Sequence, residues 1–175
     1  MRAAVLGVLL AVPAWRIHAQ GITSEAEAWY EWGGALTAHR RHDEALTAYG
    51  NAVQLDPSDV YYHKDTGHAL LQLGRYTDAI DGYTRGLGAL GCTMPTGVCT
   101  DGPLPLQERQ QLRCSLQRSL ARAYIAQGGR HLAAAATSLG AVVTLIAEGE
   151  CSKSISPIQV LGQLINVQLR LAVHE

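Results

Sequence analysis

Two short stripes of apolar residues, each at helical spacing, lie close together near the start of the chain. The first stripe consists of Trp29, Trp32 and Leu36, and the second of Ala45, Tyr49 and Ala52. Residues three, four and seven positions apart share one face of an α-helix. Asp43 and Glu44 place negative charge at the start of the second helix, and Pro57 ends it. The pattern predicts a pair of antiparallel helices over residues 26–59.

The same arrangement returns 34 residues later in the sequence. The second window, residues 60–87, has Gly67, Leu70, Ala79, Tyr83 and Gly86 where the first has Gly33, Leu36, Ala45, Tyr49 and Ala52. Self-similarity at a fixed period of this length is typical of stacked helical repeats, each of which buries its apolar face against its neighbours. We therefore predict two consecutive repeat units.

The spacing W-x-x-W-G-x-x-L, then A-x-x-x-Y-x-x-A, then P in residues 29–57 resembles the tetratricopeptide-repeat (TPR) consensus. The resemblance implies an all-α fold, a TPR-type α-solenoid of antiparallel helix pairs closed by a C-terminal capping helix. Residues 26–59 form the first unit and residues 60–87 the second.

The regularity breaks after the second unit. Residues 88–105 are rich in Gly, Pro and Cys and are predicted to form an insertion, since they cannot continue a helix. Helical pattern resumes over residues 106–147, which we interpret as a degenerate third unit. Its expected marker residues are Leu120, Ala121, Tyr124, Ala133, Thr137 and Gly140.

The end of the chain predicts one more helix, over residues 156–173. Ser156 and Pro157 fit an N-cap followed by proline at the first helical position, and dense apolar residues follow. A solenoid needs a terminal element over its last apolar face, which favours a capping helix. The alternative is an interaction or membrane-surface helix, but a membrane-surface helix needs more Lys and Arg on its polar face.

The N-terminus has the pattern of a secretory signal peptide. Arg2 gives a positive start, residues 3–15 are apolar, and Ala19 is a small residue before a cleavage point. The apolar run is shorter than the roughly 20 residues that cross a bilayer. We predict a signal peptide over residues 1–19, no membrane span in the mature chain, and a place in the ER lumen or outside the cell. The alternatives are an uncleaved apolar helix, a short signal anchor, or a cytoplasmic protein.

Four cysteines, Cys92, Cys99, Cys114 and Cys151, are compatible with two disulfides in an oxidising compartment. Cys92 and Cys99 flank a short flexible loop and are the favoured pair. The alternative is four reduced thiols that pack as small apolar side chains.

The composition of the chain and its motifs argue against several classes of function. The net charge of -1, without clustered Lys and Arg, argues against nucleic-acid binding. The sequence lacks GxSxG, HExxH and P-loop motifs, so we expect no enzymatic activity and no cofactor. His39 and His42 straddle a turn, and His63 and His68 lie five residues apart, so no metal site is expected.

The resemblance implies that the first helix of each unit lines a concave groove. By register the groove residues are Tyr30, Tyr61, Lys64, His68, Arg118 and Arg122, with Tyr30 and Tyr61 placed to stack on a peptide and Arg118 or Arg122 to receive a carboxylate. Relatives that bind the acidic C-terminus of cytosolic heat-shock chaperones carry Lys, Asn and Arg at places occupied here by Tyr30, Gly34, Asp65, Ser115 and Ser119. That clamp is therefore not expected.

The predicted function is a non-catalytic scaffold or co-chaperone-like protein of the secretory pathway that binds a protein or peptide in its groove. The alternative is a substrate-binding accessory module of a lumenal enzyme, such as a hydroxylase or a glycosyltransferase.

Overall fold

The computed structural model describes residues 24–92, 104–149, 151 and 156–173. This part of the chain contains seven α-helices and a one-turn 3-10 helix over Gly129–His131. The helices are α1 (Glu25–Ala38), α2 (His42–Leu55), α3 (Val60–Gln72), α4 (Tyr76–Ala89), α5 (Leu106–Gln127), α6 (Leu132–Ala147) and α7 (Pro157–Ala172). Each helix packs against the helices before and after it, and α3 also contacts α5. The chain therefore forms the expected all-α solenoid of antiparallel helix pairs.

Local polar contacts determine where the first helices begin. The Ser24 hydroxyl accepts a hydrogen bond from the Glu27 amide at 3.1 Å and caps α1. Asp59 caps α3 by accepting from the amides of Tyr61 and Tyr62 at 2.7 and 3.2 Å. These side chains satisfy amide groups that lack a partner in the first turn of a helix.

A glycine and a tyrosine form the closest contact between the helices of each of the first two units. A methyl group added to Gly33 would lie 2.5 Å from the Tyr49 ring, and one added to Gly67 would lie 2.7 Å from the Tyr83 ring. The two contacts are 34 residues apart, so they are equivalent positions of the repeat. Trp32 was predicted on this buried stripe but is 38% exposed, because Gly33 beside it faces α2.

The third unit is shifted relative to the predicted markers. In α6 the buried side chains include Ala135, Leu139 and Val142, whereas Ala133 and Thr137 are exposed. The spacing of four and three residues matches Ala45, Tyr49 and Ala52, but it starts two residues later than the sequence register suggests. The 3-10 turn after Gly128 takes up the additional residues.

Helix α7 covers α6 with one face only. Val160 and Val167 are buried against the α6 core, with Leu164 and Leu171 packed beside them. The opposite side of the helix keeps an apolar stripe exposed, formed by Ile158, Leu161, Ile165, Leu169 and Val173. The outer face of α7 is therefore apolar, whereas the outer face of a terminal capping helix is expected to be polar.

A disulfide joins α5 to the segment before α7. Cys114 is fully buried and bonds to Cys151, which lies 37 positions later in the sequence, and the two Cα atoms are 5.7 Å apart. Cys92 is also disulfide-bonded. The predicted pairing of Cys92 with Cys99 involves a residue outside the described part of the chain, as does the predicted signal peptide over residues 1–19.

Candidate functional site

Asp65 is the centre of a polar network on the concave face. The Tyr30 hydroxyl of α1 donates a 2.7 Å hydrogen bond to Asp65 Oδ2. The other carboxylate oxygen lies 3.3 Å from His68 Nδ1 and 3.6 Å from Lys64 Nζ. The structure thus brings three of the predicted groove residues together around one carboxylate that the first and second units share.

A second set of contacts ties α3 to α5. His68 Nε2 lies 3.1 Å from the Ser119 hydroxyl, and the Tyr61 hydroxyl donates to Glu108 Oε1 at 2.6 Å. The Lys64 ammonium group lies 4.8 Å from the centre of the Tyr61 ring, within the range of a cation–π contact. The network therefore continues from the first unit to the third.

Aromatic rings support the Tyr30 end of this network. The ring centre of Tyr30 lies 5.0 Å from that of Tyr62 and 5.7 Å from that of Tyr49. The His68 ring meets the edge of the buried Tyr83 ring at 5.5 Å. Tyr30 is half-buried, so much of its surface is already used inside the protein. These contacts hold the side chains of Tyr30 and His68 in place on the concave face.

The pKa values in the network follow from these contacts. Burial would raise the pKa of Asp65, but the hydrogen bond from His68, the charge of Lys64 and the hydrogen bond from Tyr30 together hold it below 3.8. Burial, followed by the Asp65 carboxylate, raises the pKa of Tyr30. The hydrogen bond to Glu108 raises the pKa of Tyr61 to about 12. Asp65 is therefore a carboxylate, and both tyrosines are neutral donors at neutral pH.

Two grooves adjoin beside the network. The larger, of about 1020 Å³, lies between α3, α5 and α7 and is lined by Leu71, Gln72, Tyr76, Arg122, Ile125, Ala126, Gln159, Gly162, Gln163, Asn166, Val167 and Arg170. The smaller, of about 540 Å³, is lined by Thr37, Ala38, Arg40, His42, His68, Ala69, Gln72 and Arg122. Gln72 and Arg122 line both grooves, and we call the two grooves together the concave trough.

The predicted groove residues fall into two groups in the structure. Arg122 lines both grooves of the concave trough, and His68 lines the smaller one. Tyr30, Tyr61 and Lys64 belong to the network beside it. Arg118 is half-exposed, one turn before Arg122, and lines neither of the two grooves.

The sequence pattern did not reveal the part that α7 and Arg40 play in the trough. Arg170, Gln163 and Asn166 line its larger groove, although α7 lies outside the repeats and carries no consensus to indicate a groove position. One signal for Arg40 was present, because it stands 34 residues before Gly74, at the left-handed turn position that favours glycine.

Within residues 24–92, 104–149, 151 and 156–173, no group of three or more His, Cys, Asp and Glu side chains is arranged to hold a metal ion. No helix in the same described ranges is both long enough and apolar enough to cross a membrane.

Comparison with known sequences gives a family match. The family described as "Tetratricopeptide repeat" matches residues 26–59, the span of the first unit. The protein bimA of Emericella nidulans is 36% identical over 63 residues, which are 36% of this chain. The chain thus spans only 8% of the length of that curated relative.

Solved structures resemble the whole described fold. One is the first TPR domain of Spaghetti (RPAP3) bound to an HSP90 peptide, with a TM-score of 0.62, 15% identity, and coverage of 85% of this chain and 94% of that one. Another is the Yersinia enterocolitica type III secretion chaperone SycD in complex with a peptide of the translocator YopD, with a TM-score of 0.63, 18% identity, and coverage of 85% and 97%. Residues 26–59 of this chain therefore form a tetratricopeptide repeat, and the described helices have the fold of a TPR-type solenoid.

Proposed function

We propose that this protein is a non-catalytic interaction module that holds an extended segment of a partner polypeptide in its concave trough. The observation that carries the proposal is the open depression along the faces of α3, α5 and α7, which shares Gln72 and Arg122 with the neighbouring groove. An extended peptide fits such a depression, because its backbone and side chains meet several helices in turn.

The comparisons support this reading of the fold. The RPAP3 domain carries an HSP90 peptide and SycD carries a YopD peptide, each on the same type of helical stack. Their sequence identity to this chain is below one fifth, so the partners of those proteins are not transferred to it. The general mode, a helical solenoid that receives a peptide, is what we propose for this chain.

The hydrogen-bond network around Asp65 holds the side chains beside the trough in fixed positions. Tyr30, His68 and Tyr61 make hydrogen bonds that connect three consecutive units before any ligand arrives. Residues held in this way lose little conformational freedom on binding, which favours affinity. Direct contact with the peptide then falls to residues without such partners, above all Arg122.

We further propose that the protein acts in the secretory pathway. The N-terminal sequence and the disulfide between Cys114 and Cys151 support this location, because stable disulfides form in oxidising compartments. Mass spectrometry of the protein from its native cells under non-reducing conditions tests it. A chain without residues 1–19 and with Cys114 bonded to Cys151 is expected, and four free thiols would contradict the location.

Selection of peptides from a phage-display library tests the proposed peptide-binding function. We expect random linear peptides displayed on phage to enrich on the purified protein, and the enriched peptides to bind Arg122→Ala at least about tenfold more weakly than the unmodified chain. The matched control is Arg85→Ala, an exposed arginine of α4 that pairs with Asp81 outside the trough. Equal affinities for the two variants would show that the trough is not the binding site.

A further inference from the structure

The concave trough is strongly biased in charge. Among the residues that the structure describes, its two grooves are lined by three arginines, Arg40, Arg122 and Arg170, and by His42 and His68, but by no Asp or Glu. The chain as a whole has 14 Lys and Arg against 15 Asp and Glu. A basic lining in a chain of net charge -1 is therefore a local property of this surface.

None of these three arginines makes an ion pair with a described acidic side chain. Three exposed arginines outside the trough form ion pairs, namely Arg41 with Glu44, Arg75 with Asp78, and Arg85 with Asp81. Among the described residues, no carboxylate forms an ion pair with Arg40, Arg122 or Arg170. Their guanidinium groups are available to a ligand, and guanidinium is the side-chain group best suited to bind carboxylate in pairs of hydrogen bonds.

Arg40 occupies its place against the preference of the backbone. It lies in the turn between α1 and α2 with a φ of 59°, and it is the one non-glycine residue with positive φ in the described ranges. The equivalent residue of the second unit is Gly74, with a φ of 73°. A left-handed conformation is unfavourable for an arginine, whereas glycine adopts it readily. An arginine at a strained backbone position that lines a groove motivates the hypothesis that its side chain has a function there.

The uncharged polar side chains that line the trough favour a peptide over a nucleic acid as its ligand. Four side-chain amides, from Gln72, Gln159, Gln163 and Asn166, line the larger groove. An amide both donates and accepts hydrogen bonds, so it matches the N–H and C=O groups of a peptide backbone. A nucleic-acid backbone presents mainly acceptors, and its binding relies on more closely spaced cations.

We propose that the concave trough binds an extended acidic segment of a partner polypeptide, with Arg40, Arg122 and Arg170 pairing with its carboxylates. The inference rests on the proposed peptide-binding function and specifies the chemistry of the partner. The three arginines are not at the positions of the clamp with which relatives bind heat-shock chaperones, since Arg40 lies in a turn and Arg170 on the last helix.

Binding of defined peptides tests the proposal. The probe is a fluorescein-labelled peptide of alternating Glu and Ser, compared by anisotropy at low salt with a peptide that has Gln in place of Glu. We expect the Glu peptide to bind at least about tenfold more tightly, and Arg40→Gly, Arg122→Gln and Arg170→Gln each to weaken it by about three- to tenfold. Arg85→Gln, the matched control outside the trough, should leave the affinity unchanged.

Arg40→Gly separates binding from folding. Glycine relieves the left-handed strain, so this variant should unfold at a urea concentration equal to or above that of the unmodified chain while binding the Glu peptide more weakly. A loss of affinity in a chain of undiminished stability cannot come from unfolding.

Three outcomes would overturn the proposal. Equal affinity for the Glu and Gln peptides, with both reduced by Arg122→Gln, would refute the acidic partner but keep the peptide-binding function. Absence of binding to either peptide and to the peptides selected by panning would refute both. Tighter binding of a single-stranded oligonucleotide of equal charge than of the Glu peptide would replace the peptide with a nucleic acid.

Discussion

The hydroxyl of Tyr30 in the first repeat donates a 2.7 Å hydrogen bond to the carboxylate of Asp65 in the second. The residues are 35 positions apart, and the bond connects two helices that are each the first of their unit. Because Asp65 also contacts His68 and Lys64, one carboxylate relates the geometry of the concave face to the stacking of the repeats.

Removing either partner of this bond should destabilise the fold. Hydrogen bonds to charged groups contribute about 1.5–3 kcal/mol, so we expect Tyr30→Phe and Asp65→Asn each to lower the free energy of unfolding by about 1–2 kcal/mol. Urea denaturation of both single variants and the double variant measures the coupling between the residues. A coupling energy near zero would show that the bond contributes nothing to stability.

Acid should remove the contribution of Asp65. Its pKa is lower in the folded protein than the ordinary value of 3.8, so the stabilisation is complete well above pH 3.8 and is lost as the pH falls through 3.8 and then through the lower folded value. We expect the fall in unfolding free energy between pH 5 and pH 2 to be smaller in Asp65→Asn than in the unmodified chain. Asp81→Asn, on the exposed face of α4, serves as the control, and identical slopes for the unmodified chain and Asp65→Asn would contradict the prediction.

A methyl group should have opposite effects at two helical glycines. At Gly67 it would lie 2.7 Å from the ring of the fully buried Tyr83, so Gly67→Ala is expected to lower stability by about 1–3 kcal/mol. A methyl group added at Gly34 would meet no atom within 4 Å beyond its chain neighbours and the backbone of its own helix, so Gly34→Ala should raise stability by about 0.5–1 kcal/mol through helix propensity. Thermal unfolding of the two variants checks the signs, and a stabilising Gly67→Ala would mean that Tyr83 has room to move.

Gln117 is a polar side chain that is buried inside the helical stack. It is 1% exposed, and neither its amide nitrogen nor its amide oxygen has a hydrogen-bond partner. Replacing it with methionine, which has a similar size and no strong polar group, should raise the free energy of unfolding by about 1 kcal/mol. Gln111→Met, at an exposed position of the same helix, should have almost no effect. A destabilised Gln117→Met would show that the amide is satisfied in solution.

The disulfide between Cys114 and Cys151 should stabilise the C-terminal part of the stack. For bonded cysteines 37 positions apart in sequence, the chain-entropy relation predicts a contribution of about 3–4 kcal/mol. The free energy of unfolding of the double variant Cys114→Ala, Cys151→Ala should therefore be lower by about 3–4 kcal/mol. Calorimetry should also show a lower unfolding temperature for this variant. Equal stability under oxidising conditions would show that the loop is already ordered without the bond.

Local sequence patterns accounted for most of the fold. Helical stripes and the repeat of Gly33 and Tyr49 at Gly67 and Tyr83 specify the first two helix pairs, because each depends on contacts within one unit. The third unit departs from the predicted register by two residues, since Gly128 opens into a 3-10 turn that the spacing of apolar residues does not reveal. The register of α6 depended on packing against α5, so the sequence alone misplaced Ala133 and Thr137.

The sequence by itself determined that this protein is a stack of antiparallel helix pairs with a repeat of 34 residues, because helical periodicity and close Gly–Tyr contacts act over short distances along the chain. Only the tertiary structure decided the partners of Tyr30, the pairing of Cys114 with Cys151, and the presence of Arg170 and Arg40 in one trough. These relationships join residues from different units. They depend on how the superhelix curves, and no local pattern records that curvature.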